Sequence, residues 1–308
     1  MKAVLLTLGS LACAAIIAAG IWAWTPDRPR DLLERKYWDS ATRYMEIGGT
    51  SLRVRITGPQ HAPAVLLLHG FGSSLETWES WAQTLSDAYQ VVRFDLPGCG
   101  MSEADRTGSY GDARSLELVK GLMDRLRIEK AALVGNSMGG RIAWRFAAAF
   151  PERTRKLVLI SPDGFASPGF QYGKAPQIPA ILNVMKYFLP RALLRTNLAA
   201  AYGDPSRLSD AVVDRYYELL LAPGNREAMI KRMQQSVLED PIPKLRQITA
   251  PTLLLWGKKD QLIPFSNAAD YLGALGNSRL ISFADLGHVP HEESPAESLA
   301  AVAQFLSI

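Results

Sequence analysis

Six short apolar runs punctuate the chain, at residues 65–68, 91–94, 131–134, 157–160, 253–256 and 280–283, each bounded by Gly, Pro or Asp. Near-continuous apolarity over a few residues is what a parallel strand buried on both faces requires. Upstream, after the turn signal Gly48-Gly49, Leu52, Val54 and Ile56 alternate with polar residues, as in an antiparallel strand. Helical stretches at 115–126 and 141–150 fall between the buried runs. Strand and helix in alternation predict an α/β fold, a mostly parallel sheet flanked by helices on both faces. From Gly164 to Thr249 the rhythm stops, and only helical patterns remain, at 178–189, 209–221 and 226–238. Such an interval predicts a helical cap inserted over the mouth of the sheet. Within it, Ile178, Ile181, Leu182, Met185, Phe188 and Leu189 give one segment an apolar face, which either packs on the core or meets acyl chains.

The first residues follow a different pattern. Residues 3–24 carry no charge, and Trp22 and Trp24 close the run ahead of Pro26, Arg28, Arg30, Arg35 and Lys36. About 20 apolar residues suffice to cross a bilayer as a helix, with aromatic residues at the interface. A cleaved signal peptide ending near Ala18 or Gly20 is the alternative, but the apolar run continues past them into Trp22. Orientation is argued both ways. The basic residues after the span place the following domain in the cytoplasm by the positive-inside rule, whereas an uncleaved export signal places it in the periplasm. Leu32, Leu33, Tyr37 and Trp38 then recur at helical spacing, predicting a juxtamembrane helix. The expected organisation is an anchor at 1–24, this helix at 25–44, a core at 45–163, the cap at 164–248 and the rest of the core at 249–308. Ala14 with Ala18, and Ala15 with Ala19, have the small-residue spacing that lets two such spans approach, so a homodimer through this region is one expectation and a monomer the other.

Composition narrows the chemistry. A formal charge of +4 over 308 residues, without a clustered basic motif, excludes nucleic-acid recognition. The two cysteines, Cys13 in the apolar segment and Cys99 in a loop, are not placed to pair. Neither a CxxC pair nor an HExxH run is present, and no metal or cofactor is expected.

The reactive residues sit where buried runs end. Gly135-Asn136-Ser137-Met138-Gly139-Gly140 joins the run 131–134 to a helix, the strand–turn–helix setting of a serine nucleophile. Small flanking residues allow the sharp turn that projects the serine above the sheet. His69-Gly70-Phe71-Gly72 follows the run 65–68. An oxyanion formed by serine attack needs two aimed N–H groups, here those of Phe71 and Met138. Asp260 lies just beyond the run 253–256 and His288 just beyond 280–283, the chain order nucleophile, acid, base expected of this arrangement. Asp163 is the competing acid. His61 lies in a polar loop, His69 is read as packing under its own loop, and His291 stands three residues past the better base. Asp95-Leu96-Pro97-Gly98-Cys99-Gly100 reads as a structural turn beside the site.

Taken together, HGFG, DLPGCGMS, GNSMGG, WGKKD and LGHVPHEESP resemble the α/β-hydrolase superfamily across residues 45–308. The resemblance implies the α/β-hydrolase fold and a Ser137–His288–Asp260 triad. Serine at the elbow separates the chain from epoxide hydrolases and haloalkane dehalogenases, which carry aspartate there. GNSMGG looks like the elbow of meta-cleavage-product hydrolases, which split carbon–carbon bonds, although the Gly-Pro-Gly run usual in their oxyanion loop is absent after His69-Gly70. The apolar N-terminus, TPDRPR and a capped serine hydrolase are together similar to bacterial inner-membrane-anchored phospholipases A. That likeness implies hydrolysis of phospholipid or other fatty acyl esters. Of the two orientations, the one set by an uncleaved export signal is expected, with the domain in the periplasm. Carbon–carbon hydrolysis and a non-catalytic ligand-binding role on the same scaffold are the alternatives.

Overall fold

The structure, a computed structural model, describes residues 24–166 and 171–307. These form one eight-stranded sheet: β1 (Thr42–Ile47), β2 (Thr50–Thr57), β3 (Ala64–Leu68), β4 (Gln90–Phe94), β5 (Ala131–Asn136), β6 (Thr154–Ile160), β7 (Thr252–Gly257) and β8 (Ser278–Phe283). Their order is β1-β2-β4-β3-β5-β6-β7-β8; β1 and β2 are antiparallel to their neighbours and the rest run parallel. All six apolar runs became parallel strands; five of them alternate side chains between two buried faces, and the sixth, β8, lies at the sheet edge and is only partly covered. Leu66, Leu68, Val92, Phe94, Leu133 and Trp256 join the cluster on one face. Val65, Leu67, Val91, Val134, Val158 and Leu255 join the cluster on the other.

Helices cover both faces. On the first lie α3 (Asp112–Arg125), α4 (Met138–Ala149) and α9 (Asn267–Ala274), contributing Leu118, Ile142, Trp144 and Tyr271. On the second, α2 (Glu79–Leu85) and α11 (Pro295–Ser307) bring Trp81, Leu299 and Phe305. Between β6 and β7 stands the cap: a 3₁₀ helix at Ala180–Lys186, then α5 (Arg191–Ala199), α6 (Asp210–Leu220) and α7 (Asn225–Gln235). The interval closes with the single turn α8 (Ile242–Leu245), whose Leu245 is buried in the first-face cluster.

Two sequence expectations need correction. The helix expected over 25–44 is only α1 (Arg30–Tyr37), and β1 begins at Thr42. Asp39 breaks the helix by accepting from the Ala41 amide at 3.0 Å and the Thr42 hydroxyl at 2.6 Å, and the turn throws the chain into the sheet edge. The helix expected over 178–189 shrinks to the 3₁₀ segment, since Pro179 and Pro190 bracket it. Its apolar residues divide: Leu189 is buried, whereas Ile181 is 70% exposed. Among the described residues no helix is long and apolar enough to cross a membrane. The expected span lies outside them except for Trp24.

The chain from Trp24 to Tyr37 is clasped to the cap. Trp24 stacks on Tyr187 at 5.5 Å, Asp27 pairs with Arg226 at 2.6 Å, and Glu218 on α6 receives Arg28, Lys36 and the Tyr37 hydroxyl.

Candidate active site

Ser137 ends the β5 turn with φ 54° and ψ −120°, a conformation that L-residues avoid. Helix α4 starts at the next residue, so the turn between strand and helix has almost no length. A Cβ on Gly135 would stand 2.3 Å from the Gly139 carbonyl oxygen, which explains why glycine occupies that position. Met138 opens α4, and its N–H belongs to the helix's first turn, where no intrahelical acceptor exists. The loop after β3 lies against the serine: a Cβ on Gly70 would sit 3.4 Å from the Ser137 Cβ. Phe71 and Met138 both line the cavity that contains Ser137.

His69 is fully buried and ties that loop down. Its Nε2 accepts from the Leu96 amide at 3.0 Å, while Nδ1 donates to the Gly70 carbonyl at 2.8 Å. Burial pushes it down to about 4, so the ring is neutral and structural. Beneath the neighbouring loop, Asp95 pairs with Arg53 at 2.6 Å and accepts from the Leu75 and Met101 amides. The motif beginning at Asp95 is therefore a turn braced from below.

Asp260 and His288 come together: Nδ1 of the histidine donates to Asp260 Oδ2 at 2.8 Å. The other carboxylate oxygen accepts from the Leu262 and Ile263 amides, each at 2.9 Å. Burial alone would raise the Asp260 carboxyl, but the His288 and Ile263 contacts outweigh it and hold it below the ordinary range. With Nδ1 committed to Asp260, the neutral imidazole carries its lone pair on Nε2. Asn136, next to the serine, donates from its side chain to the His288 carbonyl at 2.9 Å and so fastens the histidine loop to the elbow. Asp163 is not beside a histidine. Its carboxylate faces Arg141 at 3.1 Å, and its backbone N–H donates to the Ser137 carbonyl. His61 is exposed, and His291 is buried against Trp78 at 4.3 Å with Nε2 on the Thr77 hydroxyl.

Sequence reasoning missed the residue that joins the histidine loop to the cap. Buried Glu293 accepts from the amides of Gly287, Gly203 and Asp204 at 2.7–3.0 Å. The His288 amide itself donates to Ala201 at 2.7 Å. At this crossing a Cβ on Gly287 would come within 2.5 Å of Ala201 and Gly203 backbone atoms. The neighbouring Glu292 gathers Thr77, Tyr202, Arg215 and Tyr216. The sequence signal was the acidic pair in HEESP, which reads as surface charge until the cap folds onto it.

The cavity over Ser137 has a volume of about 290 Å³. Its wall is apolar at Ile142, Ile178, Met233 and Leu238, and charged at Asp112, Arg141, Asp163 and Arg232. A strained serine, a histidine held by a carboxylate and a partly apolar cavity are the kinds of group that nucleophilic catalysis by serine would draw on. Among the described residues no cluster of His, Cys, Asp and Glu could hold a metal ion.

Comparison with known proteins bears on the fold. Residues 63–295 match the family described as alpha/beta hydrolase fold. A 2-hydroxy-6-oxo-6-phenylhexa-2,4-dienoate hydrolase from Comamonas testosteroni is 30% identical, over 79% of this chain and 87% of its own. Among solved structures, a membrane phospholipase A described as a bacterial virulence factor superposes with a TM-score of 0.74 at 26% identity, covering 100% of this chain and 98% of that one. A meta-cleavage product hydrolase from Pseudomonas fluorescens superposes with a TM-score of 0.74 at 24% identity, over 86% and 97% of the two chains.

Proposed function

Because the chain belongs to the α/β-hydrolase fold family, we propose that it hydrolyses carboxylic esters through an acyl-enzyme, with lipid acyl esters as the natural substrate class. The observation that carries the reading is the His288–Asp260 pair on a loop that Asn136 fastens to the elbow, where Ser137 is held in a strained conformation. Ser137 Oγ attacks the acyl carbon while His288 Nε2 takes its proton, and Asp260 stabilises the imidazolium. The oxyanion is received by the Phe71 and Met138 amides. Collapse of the tetrahedral intermediate expels the alcohol, which takes the proton from His288. Water, activated by the same histidine, then releases the acid.

Lipid as the substrate class is supported by the likeness to a membrane phospholipase A. It is supported too by the apolar surface beside the N-terminal end of the described residues: Trp24, Ile181, Val184 and Tyr187 are all exposed. We place residues 1–24 in the inner membrane as an anchor and the catalytic domain in the periplasm, with that surface toward the lipid. A second reading, hydrolysis of a carbon–carbon bond in a dienoate ring-fission product, is favoured by the 30% identity to the Comamonas enzyme.

Ser137→Ala should lower turnover of p-nitrophenyl butyrate by about 10⁴-fold or more while the circular dichroism spectrum stays unchanged. Unchanged turnover overturns the nucleophile. Parallel assays with a phenyl-substituted dienoate separate the two substrate classes, since the better kcat/KM names the reaction.

A further inference from the structure

Two arginines line the cavity over Ser137, and they differ in one respect. Arg141 is neutralised by Asp112 at 2.8 Å and Asp163 at 3.1 Å, and Arg145 adds a further bond to Asp112. Arg232, on α7, has no carboxylate partner among the described residues. Its side chain is buried, at 5% exposure, and its guanidinium donates to the Pro97 carbonyl at 2.7 Å and the Tyr110 carbonyl at 3.5 Å. It also lies over the Tyr110 ring at 5.1 Å. Other arginines of the cap are paired, half-buried Arg215 with Glu292 and buried Arg226 with Asp27.

A guanidinium taken out of water without a counter-ion is costly, and backbone carbonyls recover only part of its lost hydration. Both carboxylates of the cavity, Asp112 and Asp163, pair with Arg141 and neither pairs with Arg232, so the Arg232 guanidinium faces the chamber's charges without an ion-pair partner of its own among the described residues. That charge shares a chamber with the nucleophile and with Met233 and Leu238. We propose that Arg232 is the anchor for an anionic group of the substrate, a carboxylate or a phosphate on an otherwise apolar molecule. This rests on the reading of Ser137 as the nucleophile of an ester hydrolase and assigns its substrate class: amphipathic, anionic and small enough for a chamber near the lower end of the ~300–1,000 Å³ usual for ligand cavities. The planar, forked guanidinium suits either oxyanion by paired hydrogen bonds.

The test uses the full chain in detergent, with p-nitrophenyl butyrate as a neutral reporter and hexanoate, hexyl phosphate and hexanol as competitors. In the wild type at least one anion should inhibit with a Ki about tenfold or more below that of hexanol, and the stronger of the two anions identifies the source of the charge. Arg232→Met should bring the anion-to-hexanol Ki ratio to about one, whereas Arg232→Lys should keep most of the preference. Equal inhibition by all three competitors in the wild type overturns the proposal, as does a preference that survives in Arg232→Met. Should Arg232→Met not fold, the wild-type ratio and the lysine variant still decide. If the wild type does not turn over the reporter, the ester reading fails separately, and calorimetric titration with hexanoate and hexyl phosphate reads the anion site by itself.

Discussion

Asp260 spends its two oxygens on different duties, one on His288 and the other on the amides of its own turn. Replacing it with Asn preserves that shape but offers the histidine an amide in place of a carboxylate, which favours the wrong tautomer. Asp260→Asn should therefore lower kcat on p-nitrophenyl butyrate by about 10⁴-fold with little change in KM. Steady-state kinetics beside an unchanged near-ultraviolet spectrum checks this. Asp95 works in the opposite way, since it touches no substrate. With Arg53 it forms a pair in which both side chains are inaccessible to solvent, and deleting Asp95 leaves Arg53 with Glu76 alone and the Leu75 and Met101 amides without their acceptor. Asp95→Ala should cost about 3–5 kcal/mol in urea unfolding.

At the scale of elements, legibility followed burial. Strands β3 to β7 announced themselves because both of their faces are covered, so apolar residues dominate them even though β4 buries Arg93. Strand β1 did not, since an edge strand covered on only part of one face mixes Arg43, Tyr44 and Glu46 with apolar residues, and the aromatic spacing before it mimics a helix. Ser137 and Asp260 stand out in the sequence because each follows a buried strand, and Asp163 was the rival acid because it follows β6, whereas His288 follows the half-covered edge strand β8. What separated the two acids was the direction of a side chain, toward Arg141 in one case and toward His288 in the other, which no spacing encodes. Glu293 was illegible for a related reason: its partners are backbone amides of a segment some 90 residues away. Glu293→Ala leaves three N–H groups without their acceptor and should cost on the order of 3 kcal/mol. Turnover should fall with it, since the histidine loop loses its brace. A Glu293→Ala protein with wild-type unfolding midpoint and kcat would show that the crossing is ornamental.

For the molecule as a whole, two neutral histidines set the acid limit. Burial pushes His69 down to about 4 and His291 to about 3, against 6.5 for an unburied histidine. Below pH 6.5 the unfolded chain binds protons that the folded chain refuses, so stability is full above that pH and falls as the solution is acidified toward 4. The slope is about 1.4 kcal/mol per pH unit for each histidine. Urea titrations at a series of pH values should show this decline, and His291→Gln should remove its share. An unaltered slope in that variant would move the acid sensitivity elsewhere.

The crossing at Ala201–Asp204 has a consequence for any attempt to re-engineer selectivity. Because one stretch of the roof carries the strap that holds the His288 loop, roof and loop form a single linkage rather than a lid over a finished machine. Transplanting a foreign roof to change what enters would leave the imidazole loop untethered unless those four residues travelled with the graft, and a chimera that respects the junction should outperform one cut at the sheet boundary.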